Sequence, residues 1–286
     1  MSAGRRVLGA LLVTAALGAS MAAGGERPGD ERRAGEPYDP ARFGPDLEWA
    51  ARTVGADTLY LLTSPLRVTT DDLLPLGLGA AALGAGFALD HAMREELRHT
   101  RGTWHDVADG VSHLGDAGVL LGLNVGFLAV GEGLRQYGGD TTYRDAALVS
   151  AEAQLLTLGL SAGAKAAVGR SRPGRDQGGT DFEPFGGHGS FPSNHAAQAF
   201  AVAGVLGQRF GWMVGVPSYG AAGLVGLSRI ALDKHWTSDV VAGALLGTLV
   251  GNALGLRHRT AHGFLDFAPF AEPQTRTYGL SLHATF

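Results

Sequence analysis

The stretch VVAGALLGTLVGNALGL, Val240–Leu256, runs for seventeen residues without a charge, and its reading decides the fold class. It is too long for a strand, which averages about five to six residues, and is read as a helix. Working outward, similar uncharged runs occupy Leu73–Leu89, Ala117–Gly131, Ala196–Gly207 and Gly211–Leu227. Ala146–Ala164 is of the same kind but carries Glu152 and Gln154, and a further helical pattern starts near Leu47. The expectation is an all-α bundle of about six core helices spanning residues 46–260. The last residues differ: Tyr278, Leu280, Leu282, Ala284 and Phe286 alternate with Gly279, Ser281, His283 and Thr285, which is a strand pattern. With Gly263–Ala271 as partner, residues 261–286 are expected to form a small C-terminal β-hairpin.

Composition narrows the class. The 286 residues are 45% hydrophobic and 17% charged, which suits a large core and excludes a disordered chain. Many of the 45 glycines lie within the apolar runs, where they permit close helix approach. A net charge of −4 without a basic stripe gives no footprint for nucleic acid. With no cysteine, disulfides and thiolate metal sites are excluded.

Arg5 and Arg6 precede an uncharged run, Val7–Gly25, that ends in small residues. Residues 1–23 are read as a secretory signal peptide cleaved near Ala22 or Ala23, with a retained membrane anchor as the other reading. Both put the following residues outside the cytoplasm, in the cell envelope, either periplasmic or membrane-associated. Residues 24–45 are rich in charge, Pro and Gly and are read as a linker. A membrane span needs about 18–20 consecutive apolar residues, and no uncharged run after the linker reaches that length. Mean hydropathy is only +0.07. Three crossings, at 73–89, 117–131 and 146–164, would also carry Lys165 to the cytoplasmic side. Arg94, Arg98 and Arg101 follow the first run as the positive-inside rule prefers, but the balance favours a buried, non-spanning bundle over a multi-pass protein.

Three clusters in the second half carry the chemistry: Lys165-AAVGRS-Arg172-Pro173, Gly189-Ser-Phe-Pro-Ser193-Asn194-His195, and Ser228-Arg229-IALDK-His235-WTS-Asp239. A phosphoryl group in transfer needs cations and N–H donors around its equatorial oxygens, an in-line nucleophile and an acid for the leaving oxygen. Lys165, Arg172 and Arg229 supply cations, and Ser193 stands at the N-cap of a helix whose first N–H groups, near Asn194 and His195, suit an anion. Asp239, four residues after His235, is placed to hold one ring nitrogen and leave the other to attack phosphorus, with His195 as the acid. Taken singly, each cluster also reads blandly, as helix-closing basic residues, an N-cap and an exposed pair; the three in order do not.

These clusters resemble the three-part signature of the type 2 phosphatidic acid phosphatase and vanadium haloperoxidase superfamily: Lys-x6-Arg-Pro, Pro-Ser-Gly-His and Ser-Arg-x5-His-x3-Asp. The resemblance runs from Lys165 to Asp239. It implies a helical bundle with a phosphate site that uses neither metal nor cofactor. His235 is then the nucleophile, Asp239 its partner and His195 the general acid, with Lys165, Arg172, Ser193, Arg229 and the N–H of Asn194 cradling phosphate. Asn194 stands where the family usually has Gly; it tolerates a left-handed backbone if one is needed, and it adds a side chain to the pocket.

The expected function is hydrolysis of phosphate monoesters or pyrophosphates of small molecules or lipids through a phosphohistidine. A vanadium-dependent haloperoxidase and a non-catalytic phospholipid- or phosphate-binding envelope protein are the alternatives. His105, Asp109, His113 and Asp116 share a helix face and are a lesser candidate for a divalent cation. His91, His99, His258 and His262 are read as solvated, Glu152 and Gln154 as partnered interior groups, and Gly174–Gly189 as a loop over the pocket. Oligomeric state is not legible.

Overall fold

The computed structural model describes residues 43–98, 103–138, 142–258, 265–272 and 277–284. The expected signal peptide, most of the linker, His99, Arg101, His262 and the outer ends of the hairpin lie outside the described residues. Among the described residues the chain forms eight α-helices. They are α1 Phe43–Thr63, α2 Leu73–Arg98, α3 Thr103–His113, α4 Ala117–Gly138, α5 Thr142–Val168, α6 Asn194–Phe210, α7 Trp212–Ala231 and α8 Thr237–Arg257. Short 3-10 turns join α1 to α2 and follow Arg172. The fold is all-α, and α1 begins at Phe43 rather than near Leu47. At the C-terminus, β1 Leu265–Glu272 pairs antiparallel with β2 Thr277–Ala284, Leu265 opposite Ala284 and Glu272 opposite Thr277.

The centre of the bundle is the pair α6 and α8, and glycine sets their separation. A Cβ on Gly243 would overlap the carbonyl oxygen of Ser193, one on Gly247 that of Ala197, and one on Gly251 that of Ala201. Contacts that advance four residues at a time on both helices mean that α6 and α8 run parallel, backbone against backbone. Both therefore start at the same end of the bundle. Leu61, Val149, Ala153, Val205, Leu246, Val250 and Leu254 pack around this pair from α1, α5, α6 and α8.

The neighbours run the other way. Gly79 faces Leu245 and Gly86 faces Ser238, so α2 is antiparallel to α8. On α5, the Gln154 carbonyl accepts a bond from Gln198 and Ser161 contacts Asn194, so α5 is antiparallel to α6. The C-terminal ends of α2, α5 and α7 thus meet the N-terminal ends of α6 and α8 on one face. Aligned N-termini there favour negative charge.

Four helical segments are long and apolar enough to cross a membrane: Thr70–Leu97, Ala117–Leu134, Thr142–Val168 and Thr237–Arg257. This corrects the preference for a non-spanning bundle. Counting only uninterrupted uncharged runs stopped each helix at its first polar residue, whereas the helices continue through residues such as Asp90 and Glu152. Only 17% of the apolar window of α2 and 11% of that of α4 is buried, against 61% for α8. Leu74, Leu78, Leu121, Leu123 and Val125 are exposed on the first two helices. Apolar surface of this extent suits a lipid environment. The chain is a membrane protein.

Candidate active site

The three clusters converge at the end of the bundle where α6 and α8 begin. Lys165, in the last turn of α5, donates from Nζ to the carbonyls of Gly189 at 2.8 Å and Pro192 at 2.6 Å, joining the first cluster to the second. The second is tied to the third where the Ser193 N–H donates to the Asp239 carbonyl at 2.9 Å. The turn between α7 and α8 is closed by the N–H groups of Lys234 and His235, which donate to the Arg229 carbonyl at 3.0 and 3.2 Å. Asp233, in this turn, takes a left-handed backbone (φ 55°) and its carboxylate accepts from Arg94 at 2.6 and 2.9 Å. Arg94 is therefore bonded within the site end of the bundle.

His235 is buried, and its Nδ1 faces Asp239 Oδ2 at 3.5 Å, an ion-pair separation rather than a short hydrogen bond. Asp239 itself is fully buried and tightly held. Its Oδ1 accepts from Arg170 at 2.7 Å, and its Oδ2 from Ser190 Oγ at 2.5 Å and the Trp236 N–H at 2.9 Å. Nε2 of His235 is thus the nitrogen turned away from the carboxylate. Burial pushes the His235 imidazole down to about 4, with the charges of Lys165 and Arg229 adding to burial and Asp239 opposing it. It is neutral, and nucleophilic, at physiological pH.

His195, in the first turn of α6, is half-buried. Burial, then the charges of Arg229 and His235, lower it to about 4, so the two imidazoles lie within electrostatic reach of each other. Gly115 closes against it, since a Cβ there would meet the His195 Cβ at 3.1 Å. Arg229 is buried and donates from Nη1 to Ser112 Oγ on α3, while its Nε has no protein partner. The Ser193 hydroxyl, wholly buried at the head of α6, also bonds no protein atom, although a serine there normally caps the helix. Arg172 is exposed, and its charge acts on both His195 and Arg229. All eight predicted residues therefore belong to one end of the bundle. Buried donors without protein partners beside a surplus of cations suit a tetrahedral oxyanion.

Asn194 is not among the residues with positive φ, so the position makes no demand for glycine. Its side-chain Oδ1 accepts from Ser161. The Gly174–Gly189 loop is fixed by several bonds, including Ser171 Oγ to Asp181 at 2.6 Å and the Phe185 N–H to the Ala166 carbonyl at 2.8 Å.

Sequence reasoning missed Arg170, Asp90, Ser190, Ser238 and Ser112. Arg170 was hidden in the variable part of the first cluster. Asp90 did leave a signal, as the charge that ends the Leu73–Leu89 run. The proposed cation group does not assemble. His113 lies 3.7 Å from Asp109 with both side chains over 60% exposed, and Asp116 instead caps α4 through the Gly118 N–H at 2.9 Å. Among the described residues a different trio gathers its ligand atoms within 4.8 Å: Asp57, Glu152 and His258, at the opposite end of α8. His258, expected in solvent, is buried and bonded to Asp57.

A helical bundle with this cradle defines a phosphate-handling class, and residues 146–261 match the profile of the PAP2 superfamily. This match contains all eight candidate residues and supports the resemblance to the type 2 phosphatidic acid phosphatases. It is 33% identical over 192 residues to a lipid A 1-phosphatase of Porphyromonas gingivalis, covering 65% of this chain and 38% of that relative. It is 36% identical over 91 residues to a lipid A 1-phosphatase of Rhizobium etli, covering 29% of this chain and 38% of that relative. The chain thus matches well under half the length of these curated relatives. A solved transmembrane PAP2-type phosphatidylglycerolphosphate phosphatase from Bacillus subtilis is 29% identical with a TM-score of 0.46, over 62% of this chain and 89% of that one.

Proposed function

We propose that the protein is a lipid phosphate phosphatase of the cell envelope that works through a phosphohistidine on His235. The observation that carries this reading is a neutral, buried imidazole beside a fixed carboxylate, facing cations and donors that bond no protein atom. In the first step His235 Nε2 attacks phosphorus and the bond from phosphorus to the leaving oxygen breaks. His195 gives its proton to that oxygen. In the second step water attacks phosphorus, the P–N bond breaks with its electron pair returning to His235, and His195 takes the water's proton. Burial leaves His195 neutral at pH 7 in the protein alone; the phosphate's negative charge arriving beside it favours the imidazolium that the first step needs. Lys165, Arg172 and Arg229 neutralise the equatorial oxygens, the task a metal performs elsewhere.

The site lies at the end of a bundle with apolar flanks, which suits a phosphate carried on a lipid. The lipid A 1-phosphatase relatives rank the 1-phosphate of lipid A first among substrates. The uncharged run before residue 26 and its positive flank support a place in the cell envelope. The haloperoxidase alternative is not favoured by these relatives.

The test is phosphate release by the purified protein in detergent from lipid A, phosphatidic acid, phosphatidylglycerol phosphate, a polyprenyl pyrophosphate and p-nitrophenyl phosphate. His235→Ala is expected to reduce turnover by at least about 1,000-fold. Vanadate is expected to inhibit and EDTA to have no effect. Wild-type turnover by His235→Ala would overturn the mechanism, and EDTA-sensitive turnover would overturn its metal independence.

A further inference from the structure

Arg170 is wholly buried, yet it lies between the cradle residues Lys165 and Arg172 in sequence. Its guanidinium has five N–H donors, and five bonds account for them. Nε donates to the Gly179 carbonyl at 2.9 Å and Nη2 to the same carbonyl at 2.5 Å. The remaining Nη2 bond goes to Asp90 Oδ2 at 2.6 Å. Nη1 donates to Ser238 Oγ at 2.6 Å and to Asp239 Oδ1 at 2.7 Å. The rings of Phe87, Phe182 and Trp236 surround it at 5.0 to 5.4 Å from its central carbon. No donor remains for a substrate phosphate, so Arg170 is not a fourth arm of the cradle.

Its bonds converge on a different target. Asp90, on α2, also accepts the Ser238 N–H and the Ser238 hydroxyl, each at 2.8 Å, and so grips the first turn of α8. Arg170 joins that grip to the Gly179 loop and to one oxygen of Asp239. The other Asp239 oxygen is left to face His235. Resting on the phosphohistidine reading above, we infer that Arg170 is a positioning residue that sets the rotation of the Asp239 carboxylate and, through it, the ring of His235, with Asp90 as its counter-anchor. A lysine cannot replace it: a single ammonium keeps the charge but cannot bridge Asp90, Asp239 and the Gly179 carbonyl in one plane.

The experiment compares Arg170→Lys, Arg170→Gln and Asp90→Asn in the full-length detergent-purified protein, measuring kcat, KM and the inhibition constant for inorganic vanadate. Arg170→Lys is expected to lower kcat by about 100-fold, as for a reacting group displaced by about 1 Å, with vanadate inhibition within about threefold of wild type. Combined with Asp239→Asn, the Arg170 substitutions are expected to add almost nothing to the loss that Asp239→Asn causes alone. Wild-type kcat in Arg170→Lys, or losses that multiply with Asp239→Asn, overturn the inference, as do equal losses of kcat and vanadate affinity. Should neither Arg170 variant fold, Asp90→Asn decides. A lowered kcat that disappears in the Asp239→Asn background supports the role, and an unchanged kcat overturns it. His235→Ala in the same panel separates the two readings. If it stays active, the phosphohistidine reading falls and this inference with it; if it is dead while Arg170→Lys or Asp90→Asn runs at wild-type kcat, this inference alone falls.

Discussion

Helix α8 has a buried charged cluster at each end, and the two are built on opposite principles. At its C-terminal end Asp57 accepts from Arg257 Nε at 2.5 Å and from His258, whose Nε2 also faces Glu152 at 3.8 Å. Two carboxylates there meet one guanidinium and one imidazole, so each acid has a basic partner within the group. At the N-terminal end the buried carboxylates Asp90 and Asp239 meet Lys165, Arg170, Arg172 and Arg229, and the exposed Asp109 and Asp116 are screened by solvent. Lys165, Arg170 and Arg229 outnumber the two buried carboxylates, and the exposed Arg172 adds a further cation at the rim, an excess that suits a phosphate. Balance marks a cluster that holds helices together; imbalance, with donors that bond no protein atom, marks one that holds a ligand.

The sharpest break of that comparison is a pair of truncations. Arg229→Ala is expected to lower turnover by about 100- to 1,000-fold with little change in melting temperature, since it removes one donor to developing charge. Asp57→Ala is expected to do the reverse. It leaves Arg257 and His258 without their shared anion and should destabilise the protein by about 3 kcal/mol in a denaturant titration, while the folded fraction keeps its kcat. Loss of kcat in folded Asp57→Ala as large as in Arg229→Ala would make the far cluster part of the catalytic apparatus.

The next effect separates the two ends by pH. His195 and His235 are held down to about 4 in the folded protein, against the 6.5 of an ordinary imidazole. Between these values the unfolded chain binds more protons than the native one, so stability is full above about 6.5 and is lost as pH falls toward 4. Asp57 behaves differently. Burial pushes its carboxyl up, but the bonds and charges of His258 and Arg257 outweigh this and hold it below the ordinary 3.8 of an aspartate. Its contribution is present above that value and is lost only as pH falls through the lower folded one. Denaturant melts across pH 3–8 should show His195→Gln flattening the slope between 6.5 and 4, and Asp57→Asn changing the profile only below about 4. A single shared window would mean that the two clusters titrate as one.

The difference between the ends also explains what the sequence could disclose. The eight candidate residues could be picked out because the proposed chemistry calls for fixed spacings: His235 and Asp239 share one turn, and Ser193 heads a helix. The far cluster was not legible, since Asp57 and His258 lie 201 positions apart and no local pattern links them. Arg170 escaped because its role is visible only once Asp90, on another helix, is placed against it. Helices were readable from uncharged runs, but their length was not. A buried Asp90 or Glu152 interrupts the run while satisfied partners let the helix continue. The close pairing of α6 and α8 was foreshadowed by glycine content, whereas its register required knowing that Gly243, Gly247 and Gly251 fall on Ser193, Ala197 and Ala201.

The smallest expected effect concerns the one departure from the family pattern. Asn194 adopts ordinary helical backbone, so restoring Gly relieves no strain, and what it removes is the side chain alone. That side chain is oriented by Ser161, which donates to Oδ1 and leaves the amide N–H groups as the available donors. If those donors reach the substrate's phosphate or its neighbouring oxygen, Asn194→Gly should raise KM by about fivefold, the worth of one hydrogen bond, and leave kcat nearly unchanged. Ser161→Ala, which frees the amide to rotate, should move KM in the same direction by less. A fall in KM instead would show that the side chain narrows the entrance, and the gain would then be greatest for the bulkiest lipid phosphate in the panel. Either result refines the comparison between the ends, since it shows whether the site accepts a change of shape at its rim while its cations are kept.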